Sequence, residues 1–312
     1  MRPRPWRLVR TSVALSVVTL ALGGCEAQVY GAPPPGGPRL TLVAPPGTAA
    51  APPAPPPSLP APTFTGLADR ERQATATAAA AGAEITAAVL DRSTGALVTN
   101  GNDRSIAIAS VVKLFIADDL LLQVAKGQTT LSPDDRALLD VMLRASDDSA
   151  AEVFWNRSGG TAIINRVVKR YGLSATRPPS NGRWFNTIST TTDLVRYYDE
   201  LLAGTGGLPG EQASIILANL AASTPTAPDG MVPGGIYPQR FGIPEGLPGD
   251  PVAVKQGWMC CVGSDWMHLS TGVVGPDRRY VMAIGSMQAT DAATARKTIT
   301  DAVRTMFPGG QI

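Results

Sequence analysis

From Leu67 onward, apolar and polar positions fall into blocks whose periods name the elements. Residues 67–82 are alanine-rich with charges at the start and predict an opening helix. Residues 84–90 alternate and then run apolar. The turn Asp91-Arg-Ser-Thr-Gly95, a second apolar stretch at 96–99 and the closing Asn100-Gly-Asn-Asp103 then predict a β-hairpin. Residues 106–126 form a long apolar segment, read as a buried helix ended by Gly127. Residues 134–145 are amphipathic, with Leu138, Leu139, Met142 and Leu143 on one side. Residues 149–155, 161–171 and 191–202 read as helices, the last introduced by capping Thr and Ser residues. Residues 252–254, 266–274 and 279–284 read as strands, the last two joined by a Gly275-Pro276-Asp277 turn, and 291–307 as a closing helix. Strands that open and close the domain, with helices between, predict an α+β fold built on an antiparallel sheet.

The first 66 residues follow neither period. Arg2, Arg4, Arg7 and Arg10 precede an apolar run from Val13 to Leu22, broken only by Ser16 and Thr19. That run is too short to cross a bilayer and has the layout of a signal peptide. It ends in Leu22-Gly23-Gly24-Cys25, which resembles the bacterial lipobox. The resemblance implies that Cys25 is lipidated and becomes the new N-terminus. Residues 1–24 are therefore expected to be removed. Residues 25–66, rich in Pro and Ala, are expected to form a semi-rigid tether of polyproline character. Residues 67–312 are expected to be one domain. No later stretch reaches the roughly 18 apolar residues of a membrane helix. The expected partner is thus a lipid bilayer held through acylated Cys25, with the domain on the extracytoplasmic face of the cell membrane.

Charge and composition remove other classes. Basic and acidic side chains number 27 and 25, and no basic stripe suggests nucleic acid. His268 is the one histidine. A zinc site or a His-dependent triad therefore has no support, and neither a metal nor a cofactor is expected. Cys260 and Cys261 are adjacent, a spacing at which disulfide geometry disfavours pairing. They are read as packed strand residues.

Chemistry enters at Ser110-Val111-Val112-Lys113. A helix starting near Ser110 puts positions three apart on one face, so the Lys113 amine reaches the Ser110 hydroxyl. A serine needs a base to become a nucleophile, and a buried lysine, whose charge is disfavoured, supplies one. Ser146-Asp147-Asp148 follows at a helix junction, and Lys255-Gln256-Gly257 at the end of a short strand. Two of the chain's five lysines occupy these positions. In order, the three segments resemble the S-x-x-K, S-D-N and K-T-G elements of penicillin-recognising serine enzymes, class A β-lactamases in particular. The resemblance covers roughly residues 67–312 and implies a sheet flanked by helices plus a smaller all-helical lobe, with the site between them. It implies Ser110 as nucleophile, Lys113 as base and Ser146 as proton relay. Lys255 would lower nearby pKa values and attract a carboxylate. The backbone N–H groups of Ser110 and Trp258 would form the oxyanion hole.

Three departures alter what the resemblance implies. The stretch from Leu173 to Thr190, where class A enzymes carry the glutamate that activates the deacylating water, holds no acid. Asp148 stands where the family has Asn, so a group that donates and accepts becomes one that only accepts. Asp148 could also pair with Lys113 and keep it charged. Gln256 replaces a small hydroxyl residue. Trp184, Phe185, Trp258 and Met259 are candidates to line the cleft. Efficient β-lactam hydrolysis is not expected. Two functions remain open: a serine hydrolase or acyltransferase, or a non-catalytic lipoprotein that binds a cell-wall peptide, a small molecule or a protein partner.

Overall fold

The computed structural model describes residues 64–312. The expected signal peptide, Cys25 and nearly all of the tether lie outside the described residues. Phe64, three residues ahead of the expected domain start, is already packed, stacked on Tyr280 at 5.7 Å.

The sheet is built first from the chain's two ends. Helix α1 (Leu67–Ala80) leads into β1 (Ala83–Asp91) and β2 (Ala96–Thr99). The Asp91 carboxylate closes the turn between them by accepting from the Ser93 amide and hydroxyl. Strand β3 (Ile106–Ala107) pairs with β4 (Ile188–Ser189). Between these lie the 3-10 turn Ala109–Val112 and four helices: α2 (Lys113–Ala125), α3 (Pro133–Arg144), α4 (Asp148–Arg157) and α5 (Thr161–Tyr171). Helices α6 (Thr191–Ala203) and α7 (Gly210–Ala221) follow. A short hairpin of β5 (Thr226–Pro228) and β6 (Ile236–Pro238) and the single turn α8 (Ile243–Gly246) lead back to the sheet. It is completed by β7 (Val252–Val262), β8 (Asp265–Val274) and β9 (Tyr280–Gln288), and α9 (Ala292–Met306) ends the fold.

The five strands lie in the order β2-β1-β9-β8-β7, each pair antiparallel. Burial on both faces follows from the helices that cover them. One core cluster, with Leu67, Ile85, Phe241, Ile284 and Val303, lies where α1 and α9 pack on the sheet. The other, with Leu114, Phe115, Phe154, Tyr197 and Leu269, joins the opposite face to the helical lobe. This is the α+β, sheet-plus-helical-lobe arrangement expected from the sequence.

Four local differences have physical causes. The apolar segment 106–126 is not one helix, because β3 is drawn into pairing with β4, so α2 begins at Lys113. Strand β7 extends through Val262, far past residue 254, because β8 supplies a long partner. Helix α7 has no counterpart in the sequence reading; its mixed pattern becomes helical by packing on α2, α3 and β7. Cys260 and Cys261 are bonded to each other and exposed, where packed, unpaired thiols were expected. Their shared peptide is cis, and a register irregularity between Met259 and Val262 interrupts the pairing there.

Candidate active site

Ser110 sits in the 3-10 turn rather than in the helix proper. Residues three apart eclipse one another in such a turn. Lys113 is therefore aimed back at Ser110, its Nζ donating to Ser110 Oγ at 2.8 Å. The turn is clamped by β7. A side chain on Gly257 would come within 2.5 Å of the Ile108 carbonyl oxygen and 3.3 Å of the Ser110 nitrogen. Glycine is thus required where the strand crosses the turn.

Ser146 enters from the junction of α3 and α4. Asp147 caps α4 by accepting from the Ala150 amide at 2.7 Å. This satisfies an orphan helix donor and frees Ser146 to turn inward. Lys113 Nζ donates to the Ser146 carbonyl at 2.7 Å and lies 3.3 Å from its hydroxyl. Lys255 Nζ, from mid-β7, donates to Ser146 Oγ at 2.7 Å and to the Gln256 carbonyl at 3.2 Å. Ala109 and Ser146 have φ of 42° and 57°. Left-handed backbone at non-glycine residues clusters at functional sites; among the described residues three non-glycines adopt it, of which Ser146 belongs to this network and Ala109 precedes Ser110.

Electrostatics turns on Asp148. Its Oδ1 accepts from Lys113 Nζ at 2.5 Å, with the Asp148 side chain 46% exposed and the lysine fully buried. Burial pushes Lys113 below its ordinary pKa, while Asp148 and then Asp147 push it back up. Lys255 is held well below its ordinary value by burial first, and then by the charge of Lys113. An ammonium has three hydrogens. Four oxygens lie within reach of Lys113 Nζ, namely Ser110 Oγ, Ser146 O, Ser146 Oγ and Asp148 Oδ1, so a charged Lys113 would have every hydrogen engaged.

Above the network lies a cavity of about 160 Å³ lined by Ser110, Asp148, Trp184, Phe185, Trp258, Met259 and the hairpin residues Pro228, Gly230 and Met231 among others. Trp184 and Phe185 meet edge to face, and the Trp184 ring lies 4.7 Å from Lys113 Nζ. Its indole N–H donates to Glu152 at 3.0 Å. The Cys260 amide contacts Met231 Sδ at 3.1 Å, tying the hairpin to the end of β7. Gly230 lies so close to Asp148 that any side chain there would collide with the carboxylate.

The structure thus brings Ser110, Lys113, Ser146, Asp148 and Lys255 together, with Gly257 and Trp258 beside them. Gln256 is apart: it is buried outside the cavity lining, and its Nε2 lacks a partner. Strand alternation turns it to the sheet face opposite Lys255. The hairpin and Glu152 are site neighbours that sequence reasoning missed. Asp229-Gly230 is a legible turn signal, but nothing local says which surface the turn covers. Among the described residues no group of His, Cys, Asp and Glu could hold a metal ion, and no helix is long and apolar enough to cross a membrane.

No family model matches the chain. Along its whole length it is 56% identical to the lipoprotein LppW of Mycobacterium tuberculosis and to that of Mycobacterium bovis, each covered in full. The chain belongs to the LppW lipoprotein family. Among solved structures, this LppW relative is similar to PBP-A, with TM-score 0.63 and 19% identity over 81% of this chain and 98% of that one. It is also similar to a β-lactamase from Sphaerobacter thermophilus, with TM-score 0.62 and 18% identity over 78% and 97%. A third is the β-lactamase of Streptomyces albus G, at 0.59 and 21% over 77% and 99%. At such identities the likeness establishes the fold, which is the β-lactamase and transpeptidase fold.

Proposed function

We propose that this lipoprotein is a cell-envelope serine acyl-enzyme, anchored through Cys25, whose Ser110 acylates and releases its acyl group slowly. The observation that carries the reading is the unbroken buried chain from Ser110 Oγ through Lys113 Nζ to Ser146 and Lys255. A neutral Lys113 takes the Ser110 proton as Oγ attacks an ester, amide or peptide carbonyl. The N–H groups of Ser110 and Trp258 receive the developing oxyanion. The proton passes by way of Ser146, held by Lys255, to the leaving group as its bond to carbon breaks. Before this, Lys113 must shed its proton, which its burial favours and Asp148 opposes.

Deacylation requires a base for water. Asp148 is the one carboxylate among the cavity-lining residues, and it is engaged by Lys113. Persistence of the acyl-enzyme follows. The lining also bears on substrate class. It is aromatic and apolar with a single carboxylate, and Lys255 is buried beneath it rather than in it. Uncharged or cationic acyl donors fit better than carboxylates. A mutant of PBP-A, which is similar in fold, has been captured as an acyl-enzyme complex with penicillin G.

The 2.5 Å pair of Lys113 and Asp148 favours a second reading, a non-catalytic protein that binds a cell-wall peptide, a small molecule or a protein partner in the same cavity. Covalent labelling separates the two. The chain is incubated with a fluorescent penicillin and, separately, a fluorophosphonate, and intact mass is followed over time. A stable adduct lost in Ser110→Ala supports the acyl-enzyme. An adduct that forms and clears contradicts slow deacylation. No adduct from either probe turns the conclusion to the binding protein.

A further inference from the structure

On the helical lobe, away from Ser110, the ends of α2, α4 and α5 enclose an open groove of about 830 Å³. Five of its lining residues are basic: Lys126, Arg157, Arg166, Lys169 and Arg170. The one acid among them, Asp119, is buried and holds Arg166 through two bonds of 2.8 and 2.7 Å. Arg170 is fixed by buried Asp118 and the Gly206 carbonyl at 2.8 Å, and Arg157 by Asp135. These guanidinium groups are pre-positioned, so little side-chain entropy remains to be lost when a ligand meets their free edges. Lys126 and Lys169 are exposed and have no carboxylate partner among the ion pairs of the described residues. Gln123, Gln128 and Ser158 add neutral hydrogen-bonding groups to the wall.

Cations at helix C-termini are ordinary, since they offset the helix dipole. That accounts for the sign of Arg157, Lys169 and Arg170 in their last turns. Arg166, in mid-helix, answers to Asp119 instead. Neither effect accounts for three helices converging on one concave surface where Lys126 and Lys169 lack a carboxylate partner among the described residues. We propose that this groove is a binding site for a multiply phosphorylated anion. A concavity this wide exceeds a single phosphate. Three arginines held by Asp118, Asp119 and Asp135, with the two lysines that have no such carboxylate partner, offer several phosphate groups charge-assisted hydrogen bonds. The ligand is either a soluble phosphorylated sugar or polymer, or the headgroup of an anionic lipid.

The test uses the full chain carrying Cys25→Ala, so that no acyl anchor contributes. Inositol hexakisphosphate is titrated calorimetrically at two salt concentrations. Saturable binding that weakens with salt, and falls about tenfold or more in Lys126→Glu/Lys169→Glu, is the expected result. Both lysines are exposed, and the variant's melting temperature checks that it folds. Absence of saturable binding, or equal binding by the folded variant, overturns the site. Flotation with vesicles containing phosphatidylinositol bisphosphate then names the source. Recruitment that hexakisphosphate competes away supports a lipid headgroup; hexakisphosphate binding without recruitment supports a soluble ligand. Penicillin labelling of Ser110 is independent of all these outcomes.

Discussion

Asp148 is the nearest group that opposes a neutral Lys113, with Asp147 adding to it. Removing the charge lowers the Lys113 pKa further, because burial then acts unopposed by its nearest anion. In Asp148→Asn we expect Ser110 acylation at pH 7 to rise about tenfold for each unit that the Lys113 pKa falls. The alkaline rise of the pH–rate profile should move to lower pH. Stopped-flow labelling across pH checks both. A slower variant with an unmoved profile would instead make Asp148 a substrate contact. Lys113→Ala should cut acylation by about 10²–10⁴ through loss of the base, with melting temperature as the control for folding. The spacing of Ser110 and Lys113 is a weak signal by itself; the pair becomes a candidate through its order with Ser146 and Lys255 and the family resemblance that the order carries. The capture of Lys113 was legible only as an option, because reading it needs the distance across the α3–α4 junction.

Strand β7 and the 3-10 turn make the site as a pair. A methyl group on Gly257 meets the Ile108 carbonyl, a backbone atom that cannot rotate away. Gly257→Ala should therefore cost about 1–3 kcal/mol of stability by overpacking and slow acylation as β7 retreats from Ser110. Denaturant unfolding and labelling rates measure the two effects. Wild-type labelling in a destabilised variant would separate the clamp from the chemistry. The hairpin 226–238 meets the site differently. Its tip exposes Met231 and Val232, while Tyr237 at its base is buried, stacked on Trp258 at 4.6 Å. The base anchors the hairpin and leaves the tip over the cavity. Proline and glycine mark that hairpin in the sequence, but they say nothing of the surface it covers.

Two buried groups give the whole molecule opposed pH dependences. Glu71 on α1 is 1% exposed with neither oxygen bonded, and burial raises its pKa from 4.5 to about 8. The cost of keeping it protonated is absent below pH 4.5, grows by about 1.4 kcal/mol per unit above it and levels off near pH 8. Glu71→Leu should accordingly raise the melting temperature at pH 7.5 and change it little at pH 4.5. His268, bonded through Nε2 to the Tyr237 hydroxyl at 2.6 Å, is held neutral by burial, its pKa lowered from 6.5 to about 3. The stability it contributes is complete above pH 6.5 and is lost as pH falls toward 3, because only the unfolded imidazole takes up a proton there. His268→Gln should flatten that acid limb in melting curves. The sequence marks His268 as a strand residue without saying whether it is packed or solvated; the structure buries it. A buried carboxylate in an alanine-rich helix was not read at all, since its neighbours come from the other end of the chain.

The sequence by itself determined the class of fold, the antiparallel sheet assembled from the chain's two ends, and the three short segments that meet at the site. The first two follow from local periodicity and turn chemistry; that the three segments share a site is what their resemblance to the penicillin-recognising enzymes implies. Tertiary structure alone decided that β3 leaves the long apolar segment, that β7 runs on to Val262, and that Gln256 faces away from its motif neighbours. It alone decided that Asp148 reaches Lys113 and that five basic residues from three helices share one groove. Each of these depends on distances between residues far apart in the chain, and local pattern fixes the direction of an element without fixing what it meets.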